Sequence, residues 1–223
     1  MNPLVRKALE YATNKEAILY TIYGGNGHVS DSVFTWGSAQ YTEPAEDRSY
    51  NPEKAKELLA EAGYPDGFDL KLMCYESVDY QNLLTILQSQ WAEVGVNCTI
   101  ETFDKGAFFD KMYSGDFECY TIHNVGLDPA TRLFNYRSTL TPADGNITGF
   151  SNKDYDAALD RAVAAKTTEE RDAACIECAD YIREACPFFS VCDTYLISAG
   201  DARLGNVCNG PTSYITYYKM TVN

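Results

Sequence analysis

The sequence has few basic residues and no long apolar run. Lysine and arginine total 18 against 32 aspartate and glutamate residues, which gives a formal net charge of −14. Because nucleic-acid binding is driven by clustered lysine and arginine, this balance argues against a nucleic-acid partner. No segment approaches the ~20 consecutive apolar residues of a membrane-spanning helix. The pattern therefore predicts no membrane span.

Catalytic motifs are also scarce. Only two histidines, His28 and His123, are present, and the chain has neither a G-x-S-x-G nucleophile motif nor a P-loop. The glycine-rich segment GGNGH at 24–28 follows no predicted strand and lacks the spacing of a dinucleotide-binding motif, so a flexible loop is favoured. The sequence predicts no cofactor and assigns no catalytic residue.

The eight cysteines permit disulfides, but a chain of this length does not need them. Cys175 and Cys178 have the spacing of a zinc motif, yet both fall within a helical pattern that leaves no turn to wrap around a metal ion. No second pair and no nearby histidine completes four ligands. We therefore expect buried or paired cysteines and no metal site. The alternative is a thiol-dependent enzyme that uses Cys119 or the Cys175/Cys178 pair.

The clearest local pattern is the segment YNPEKAKELLAEAGYPDGFDLKLMCYE at 50–76. Asn51 is a typical helix N-cap, and apolar residues then recur at i, i+3, i+4 and i+7. Gly63 supplies a left-handed stop, and after a Pro-Asp-Gly turn apolar and polar residues alternate as in a strand. The pattern predicts a helix at 52–62 docked on a strand at 68–75.

Helical and strand patterns alternate along most of the chain. The helices are expected near 3–11, 14–22, 52–62, 79–93, 105–113, 152–165 and 168–185, and the strands near 68–75, 97–103, 117–122 and 187–198. This alternation predicts an α/β fold with a mostly parallel sheet flanked by helices. Two long stretches, 23–50 and 123–150, show neither pattern and are interpreted as binding or flexible loops.

Five motifs follow one another in the order and at the intervals of one known family. They are VRKALEYATNKEAILYTIYGG, YNPEKAKELLAEAGYPDGFDLKL, LQSQWAEVGVNCTIETFD, FECYTIHNVGLDP and GFSNKDYDAALDRA. Together they resemble the C-terminal lobe of the family 5 extracytoplasmic solute-binding proteins of peptide and nickel ABC transporters. The resemblance implies that residues 1–223 form one lobe of a two-lobed periplasmic-binding-protein clamp, with the N-terminal lobe and leader absent from this chain.

The resemblance also implies a function. It is that of the substrate-binding component of an ABC transporter, which captures a small extracellular solute, with a peptide as the favoured ligand. Its partners would be the ligand, the membrane permease and the protein's own N-terminal lobe. Its location would be periplasmic or extracellular, with a membrane-anchored lipoprotein as one form.

One departure from the family pattern concerns the ligand. Peptide-binding members carry an aromatic-x-Ala-Asp segment before an acidic-Pro pair, and that Asp receives the amino terminus of the ligand. Here residues 123–129 read HNVGLDP, which is shorter and lacks the first Asp. A nickel complex or an oligosaccharide is therefore the alternative ligand.

Ligand contacts are expected at the carboxyl ends of the parallel strands, in the loops 75–80 and 120–128. These loops supply the polar and aromatic side chains that a small pocket needs. The candidate ligand-binding residues are Asp79, Tyr80, Tyr120, His123, Asn124 and Asp128.

Three of these residues also have a purely structural interpretation. Asp79 can be a first-turn residue of a helix capped by Ser77. Tyr120 can belong to the core, and Asp128 with Pro129 can start a turn. The sequence leaves these alternatives open.

Overall fold

The computed structural model describes residues 2–123, 129–195, 197, 201–206, 208–209, 215–216 and 220–222. The helices are α1 (Pro3–Tyr11), α2 (Lys15–Tyr23), α3 (Pro52–Glu61), α4 (Val78–Ala92), α5 (Lys105–Ser114), α6 (Pro129–Phe134), α7 (Lys153–Ala164) and α8 (Thr168–Ala185), with a 3-10 turn at Pro142–Asp144. The strands are β1 (Gly27–Val29), β2 (Phe68–Tyr75), β3 (Val96–Phe103), β4 (Cys119–Tyr120), β5 (Cys192–Thr194), β6 (Leu204–Gly205), β7 (Cys208–Asn209), β8 (Ile215–Thr216) and β9 (Thr221–Val222).

The central sheet is parallel and has the strand order β3–β2–β4. Strand β2 pairs with β3 along its whole length, from Phe68 opposite Val96 to Tyr75 opposite Phe103. Helix α4 connects β2 to β3, and α5 connects β3 to β4, as parallel neighbours require. The predicted α/β fold with a parallel sheet is confirmed, and so is the pairing of its first two strands.

The helix-turn-strand segment at 50–76 folds as its pattern predicts. The side chain of Asn51 accepts a hydrogen bond of 3.0 Å from the backbone N–H of Lys54, which satisfies one free donor of the first turn of α3. Gly63 follows the helix with a φ of +93°, a conformation that glycine adopts without strain. The apolar face of α3, with Leu59 at its centre, packs in the same core as Leu72 of β2.

Apolar side chains form two larger cores and one smaller core. In the first core, the four helices α1, α2, α3 and α4 pack against one face of the sheet. Trp91 is its largest fully buried side chain. The second packs α6, α7 and α8 around Tyr155 and Leu159. The third, around Phe108 and Met112, lies between α5 and the other face of the sheet. Along the residues that the structure describes, no helix is both long enough and apolar enough to cross a membrane.

Two predicted strands are shorter than expected. The strand predicted at 117–122 is reduced to β4. The side chain of Glu118 accepts a hydrogen bond of 2.7 Å from the backbone N–H of Lys71, so this N–H does not pair with the backbone of the neighbouring strand. The strand predicted at 187–198 is reduced, within the described residues, to the three residues of β5.

The two stretches interpreted as loops contain regular structure. Stretch 23–50 includes β1, which pairs antiparallel with β5, so the prediction of a flexible loop at 24–28 is wrong for Gly27 and His28. Stretch 123–150 includes α6 and the 3-10 turn. These elements are too short for a sequence period to show, and β1 is stabilised by a partner more than 160 residues away.

Charged side chains are buried where α1 and α8 meet the segment 31–48. The carboxylate of Glu10, which is 1% exposed, lies 2.9 Å from Lys15 Nζ, 3.1 Å from Arg48 Nη1 and 3.4 Å from Arg183 Nη1. A cavity of about 240 Å³ is lined in part by Glu10, Arg48 and Arg183. The network links the first core to the second through charges rather than apolar contacts.

Candidate functional site

The predicted loops meet at the carboxyl edge of the parallel sheet. Tyr75 ends β2 directly beside Phe103, which ends β3. The backbone N–H of Glu76 donates to the carbonyl of Phe103 at 2.9 Å, and α4 starts two residues later. Beyond β4, the N–H of Thr121 donates to the carbonyl of Met73 at 3.2 Å. This is the edge at which α/β sheets bind ligands.

Two tyrosines and the backbone of His123 form a connected cluster at this edge. The hydroxyl of Tyr80, on the first turns of α4, accepts a hydrogen bond of 2.8 Å from the N–H of His123. It also lies 3.3 Å from the hydroxyl of Tyr75, and the two rings pack edge to face with centroids 4.8 Å apart. The structure therefore brings the predicted residues Tyr80 and His123 together through a hydroxyl group.

The Tyr80 hydroxyl stays protonated at physiological pH. Burial raises the pKa of Tyr80 well above its usual value, and the hydrogen bond with Tyr75 adds to this effect, while the bond from His123 acts in the opposite direction. A cation lies beside the cluster, since Lys105 Nζ is 5.7 Å from the centre of the Tyr75 ring. The edge therefore offers aromatic surface and hydroxyl groups next to an exposed positive charge.

Asp79 is exposed in the first turn of α4. Ser77 occupies the N-cap position, as the structural interpretation of Asp79 has it, but its side chain makes no hydrogen bond to the helix. Asp79 also affects Tyr23, the last residue of α2. Burial is the main cause that raises the pKa of Tyr23, and the Cys192 thiol and the Asp79 carboxylate raise it further. Asp79 thus lies close to the end of α2, with its carboxylate accessible to a ligand.

Tyr120 occupies a different environment. It is half-buried in the third core, with ring centroids 4.9 Å from Phe117 and 6.1 Å from Phe108. Burial raises the pKa of Tyr120 far above its usual value. The packing favours the structural interpretation of this residue. Asn124 and Asp128, the last two candidates, lie outside the described residues.

Sequence reasoning missed one residue of the cluster, Tyr75, and one residue near it, Tyr23. Tyr75 is the last residue of the predicted strand 68–75, so the rule that ligands bind at carboxyl ends could have found it. Tyr23 ends α2, about 50 residues earlier, and its proximity to Asp79 and Tyr80 has no signal in the sequence.

Two cavities lie away from this cluster. Besides the cavity beside Glu10, a groove of about 460 Å³ lies between α5 and the sheet, lined in part by Lys71, Phe103 and Lys111. Neither cavity is lined by Tyr80 or by the other residues of its cluster. The candidate site is an open edge of this chain rather than part of either cavity.

A second aromatic cluster lies on the two-stranded ribbon β1–β5. The ring of His28 stacks on Trp36 at 3.7 Å, and its Nε2 lies 2.6 Å from the hydroxyl of Tyr195. The backbone N–H of Trp36 donates to Asp193 at 2.9 Å. Because side chains alternate along a strand, this cluster lies on the face of the ribbon opposite Cys192, away from the sheet edge.

Two of the three cysteines named for the thiol-enzyme alternative do not have the pKa of a catalytic thiol. Burial raises the pKa of Cys119 and of Cys178 to about 12, and nucleophilic cysteines need a lowered pKa. Cys175 and Cys178 are both fully buried inside α8. Across the residues that the structure describes, no group of three or more histidine, cysteine, aspartate or glutamate side chains is placed to hold a metal ion.

We predict that iodoacetamide labels Cys119 and Cys178 much more slowly in the folded protein than in urea at pH 8. A thiol with a pKa of about 12 carries far less thiolate than an unfolded cysteine with a pKa near 8.5. The labelling rate of the folded protein should keep rising with pH up to about 12, whereas that of the unfolded chain should level off near pH 9. Mass spectrometry of the labelled peptides measures both rates. Rapid labelling of native Cys119 at neutral pH would favour the thiol-enzyme alternative.

Comparison with known proteins gives the family. Residues 1–146 match the family described as bacterial extracellular solute-binding proteins, family 5 middle. The chain is 26% identical over 229 residues to heme-binding protein A of Haemophilus influenzae, covering 100% of this chain and 42% of that protein. It is 34% identical over 122 residues to the dipeptide-binding protein of Escherichia coli, covering 51% of this chain and 22% of that protein.

A solved structure agrees with the sequence match. The structure of HbpA2 from Haemophilus parasuis superimposes with a TM-score of 0.86 at 25% identity, over 100% of this chain and 45% of that one. The chain therefore belongs to the family 5 bacterial extracellular solute-binding proteins. It spans less than half the length of the relatives that it matches.

Proposed function

We propose that the chain is the C-terminal lobe of the substrate-binding component of an ABC transporter. In this role residues 1–223 form half of a clamp, and an N-terminal lobe supplies the other half. Membership of the family supports this proposal, as does the fact that longer relatives extend well beyond the matched part. Members of the family are extracellular, so the chain belongs to a protein that acts outside the cytoplasmic membrane. A lipid anchor would hold such a protein near its permease.

The observation that carries the proposal is the hydrogen bond between the Tyr80 hydroxyl and the N–H of His123. It fixes the start of α4 to the segment after β4, at the edge where α/β lobes contact their ligands. A ligand that rests on this edge would be covered when a second lobe closes over it. In that hinge motion the free energy of the ligand contacts offsets the cost of closure. Binding and release, without chemical change of the ligand, are then the whole activity.

A peptide is the ligand that we favour. The relative from Escherichia coli is a dipeptide-binding protein, and the candidate site has what a peptide needs. The Asp79 carboxylate can pair with an ammonium group, and the Tyr75 and Tyr80 rings offer apolar surface with hydroxyl groups. Asp79 would thereby replace the aspartate that the segment 123–129 lacks. Heme, the ligand named for another relative, a nickel complex and an oligosaccharide are the alternatives.

We predict that Asp79→Asn weakens dipeptide binding by the whole protein by about 1–3 kcal/mol, because it removes one partner of a charged hydrogen bond. Tyr80→Phe should weaken binding as well, since it releases the N–H of His123. Isothermal titration calorimetry with alanyl-alanine measures both effects, and heme, nickel complexes and oligosaccharides are titrated in parallel.

The matched control is Asp69→Asn, at the exposed opposite end of β2, which should leave the affinity unchanged. If Asp79→Asn, Tyr80→Phe and His123→Ala all keep the wild-type affinity within about 0.5 kcal/mol, the site is placed wrongly. If peptides do not bind but another titrated class does, the site can stand and the peptide assignment is wrong.

A further inference from the structure

Four side chains form one cluster on the ribbon β1–β5, and we call it the ribbon cluster: His28, Trp36, Asp193 and Tyr195. His28 lies directly opposite Asp193 in the strand register. The ladder continues past β5, because the N–H of Tyr195 donates to the carbonyl of Asn26 at 3.1 Å. The side chains of His28, Asp193 and Tyr195 therefore share one face of the ribbon. Trp36 covers this face, with its ring stacked on His28 and its backbone N–H bonded to Asp193.

The two larger aromatic rings of the ribbon cluster keep much of their surface in water. Trp36 is 51% exposed and Tyr195 is 54% exposed, although contacts with His28 hold both rings in place. Because the ring of His28 covers one face of the indole at 3.7 Å, the opposite face is open to solvent. The face of an aromatic ring is its negative side and attracts cations. The open face of Trp36 is thus a preformed surface for a flat, positively charged group.

The Asp193 carboxylate adds a negative charge that is not neutralised within the described part of the chain. It accepts the N–H of Trp36 at 2.9 Å but forms no ion pair with any of the described residues. Its surroundings are acidic as well. Burial raises the pKa of the nearby Tyr41, and three carboxylates, one of them Asp193, raise it further against a single opposing cation, Arg183. Arg183 is already paired with Glu10. The cluster therefore lacks a cation.

We propose that the ribbon cluster is a second binding site, which takes a guanidinium group. A guanidinium is planar, so it can stack on the open face of Trp36 while its N–H groups donate to the Asp193 carboxylate. The two partners are side by side, since the carboxylate is bonded to the backbone of Trp36. The ring of Tyr195 would supply a second aromatic contact. This inference does not rest on the proposed transport function, because the cluster faces away from the candidate site.

Other cations fit the ribbon cluster less well. A calcium or magnesium ion takes about six or more oxygen ligands, and the cluster has a single carboxylate. A lysine-type ammonium group is compact and strongly hydrated, so it does not stack on the indole face as a planar guanidinium does. A guanidinium has two sources, a free guanidino compound and the arginine side chain of a peptide or protein. Both present the same chemistry to the site, and the experiment separates them.

The test measures binding to the full chain through the fluorescence of Trp36. The other tryptophan of the chain, Trp91, is 1% exposed, so a stacked ligand changes mainly the emission of Trp36. The titrants are methylguanidinium, a blocked glycyl-arginyl-glycine peptide and the same peptide with citrulline, which keeps the shape of arginine without its charge. We expect the arginine peptide to bind at least about 10-fold more tightly than the citrulline peptide.

The same titration identifies the source of the guanidinium. Methylguanidinium that binds as tightly as the arginine peptide indicates a free guanidino compound. A clear advantage of the peptide indicates an arginine side chain. Both results support the site. Equal binding of the arginine and citrulline peptides overturns it and leaves the transport function unaffected.

Variants locate the binding at the ribbon cluster. Asp193→Asn should remove the preference for arginine over citrulline, because asparagine still accepts the N–H of Trp36 but has no charge. The matched control Asp69→Asn removes an exposed carboxylate of β2 and should keep the preference. If both variants lose it equally, the acidic chain attracts cations in general and the site is wrong.

The aromatic contact is tested in the same way, with calorimetry as the measurement because one variant lacks the fluorescent ring. Trp36→Leu should weaken binding of the arginine peptide by about 5- to 10-fold, as expected for loss of a cation–π contact. Tyr64→Leu, at an aromatic residue that is 42% exposed elsewhere on the surface, should leave the affinity unchanged. A Trp36→Leu variant that binds like the wild type would overturn the stacking role of Trp36 and with it the site.

Discussion

Replacing Glu10 by alanine is expected to lower the free energy of unfolding by about 3–5 kcal/mol, because it leaves buried positive charges without their common partner. The Glu10 carboxylate contacts Lys15, Arg48 and Arg183 within 3.4 Å. Lys15 and Arg48 are themselves 5% and 3% exposed, so water cannot replace the lost carboxylate. Urea unfolding followed by circular dichroism measures the change.

The control for this experiment is Glu57→Ala on α3. Glu57 forms an exposed pair with Lys54 at 3.0 Å, and such pairs contribute about 0–1 kcal/mol. The free energy of unfolding of Glu10→Gln should lie between those of the two alanine variants, because glutamine keeps the shape and the acceptor oxygen but loses the charge. A Glu10→Ala variant as stable as Glu57→Ala would show that the network contributes nothing to stability. The role assigned to it in joining the two cores would then be wrong.

Gly67→Ala should be comparably destabilising, by about 3 kcal/mol or more, through overlap of backbone atoms. A Cβ at Gly67 would lie 1.8 Å from the carbonyl oxygen of Gly95 and 2.4 Å from its carbonyl carbon. Both contacts are with main-chain atoms, so no side-chain rotation can relieve them. The residue also has a φ of +79°, which strains any residue with a side chain. Urea unfolding again provides the measurement.

Gly63→Ala separates the overlap from the strain. Gly63 has a φ of +93°, and a Cβ there would meet no atom within 4 Å. Gly63→Ala should therefore lower the free energy of unfolding by only about 1–2 kcal/mol, because alanine is strained in the left-handed conformation. If the two alanine variants unfold at the same urea concentration, overlap with Gly95 does not add to the loss of stability in Gly67→Ala.

The approach of Gly67 to Gly95 also matters for the candidate site. The N–H of Phe68 donates to the carbonyl of Gly95 at 3.3 Å, and from this first bond the register runs along β2 and β3 to Tyr75 beside Phe103. A shift by one residue would turn Tyr75 to the other face of the sheet. Gly67 thus helps to place the cluster from the opposite end of the strand.

Local patterns predicted the fold well. Each expected helix forms, and β2 pairs with β3 in parallel, because these elements have a clear period and recognisable ends. The same logic placed Asp79, Tyr80 and His123 at the carboxyl edge, since that prediction needs only the ends of neighbouring strands. Among the described residues, the errors in predicted secondary structure concern short elements such as β1, β4 and β5, whose limits are set by their partners.

By itself the sequence determined the helices, the parallel sheet and the family motifs, because all of these follow from residues close together in the chain. Only the tertiary structure decided which side chains meet at the carboxyl edge of the sheet. The contact of Tyr80 with His123 joins residues 43 positions apart, and the Glu10 network joins α1 to Arg48 and to Arg183 on α8. Whether a charged or hydroxyl group is paired depends on such distant contacts, for which local sequence patterns carry no signal.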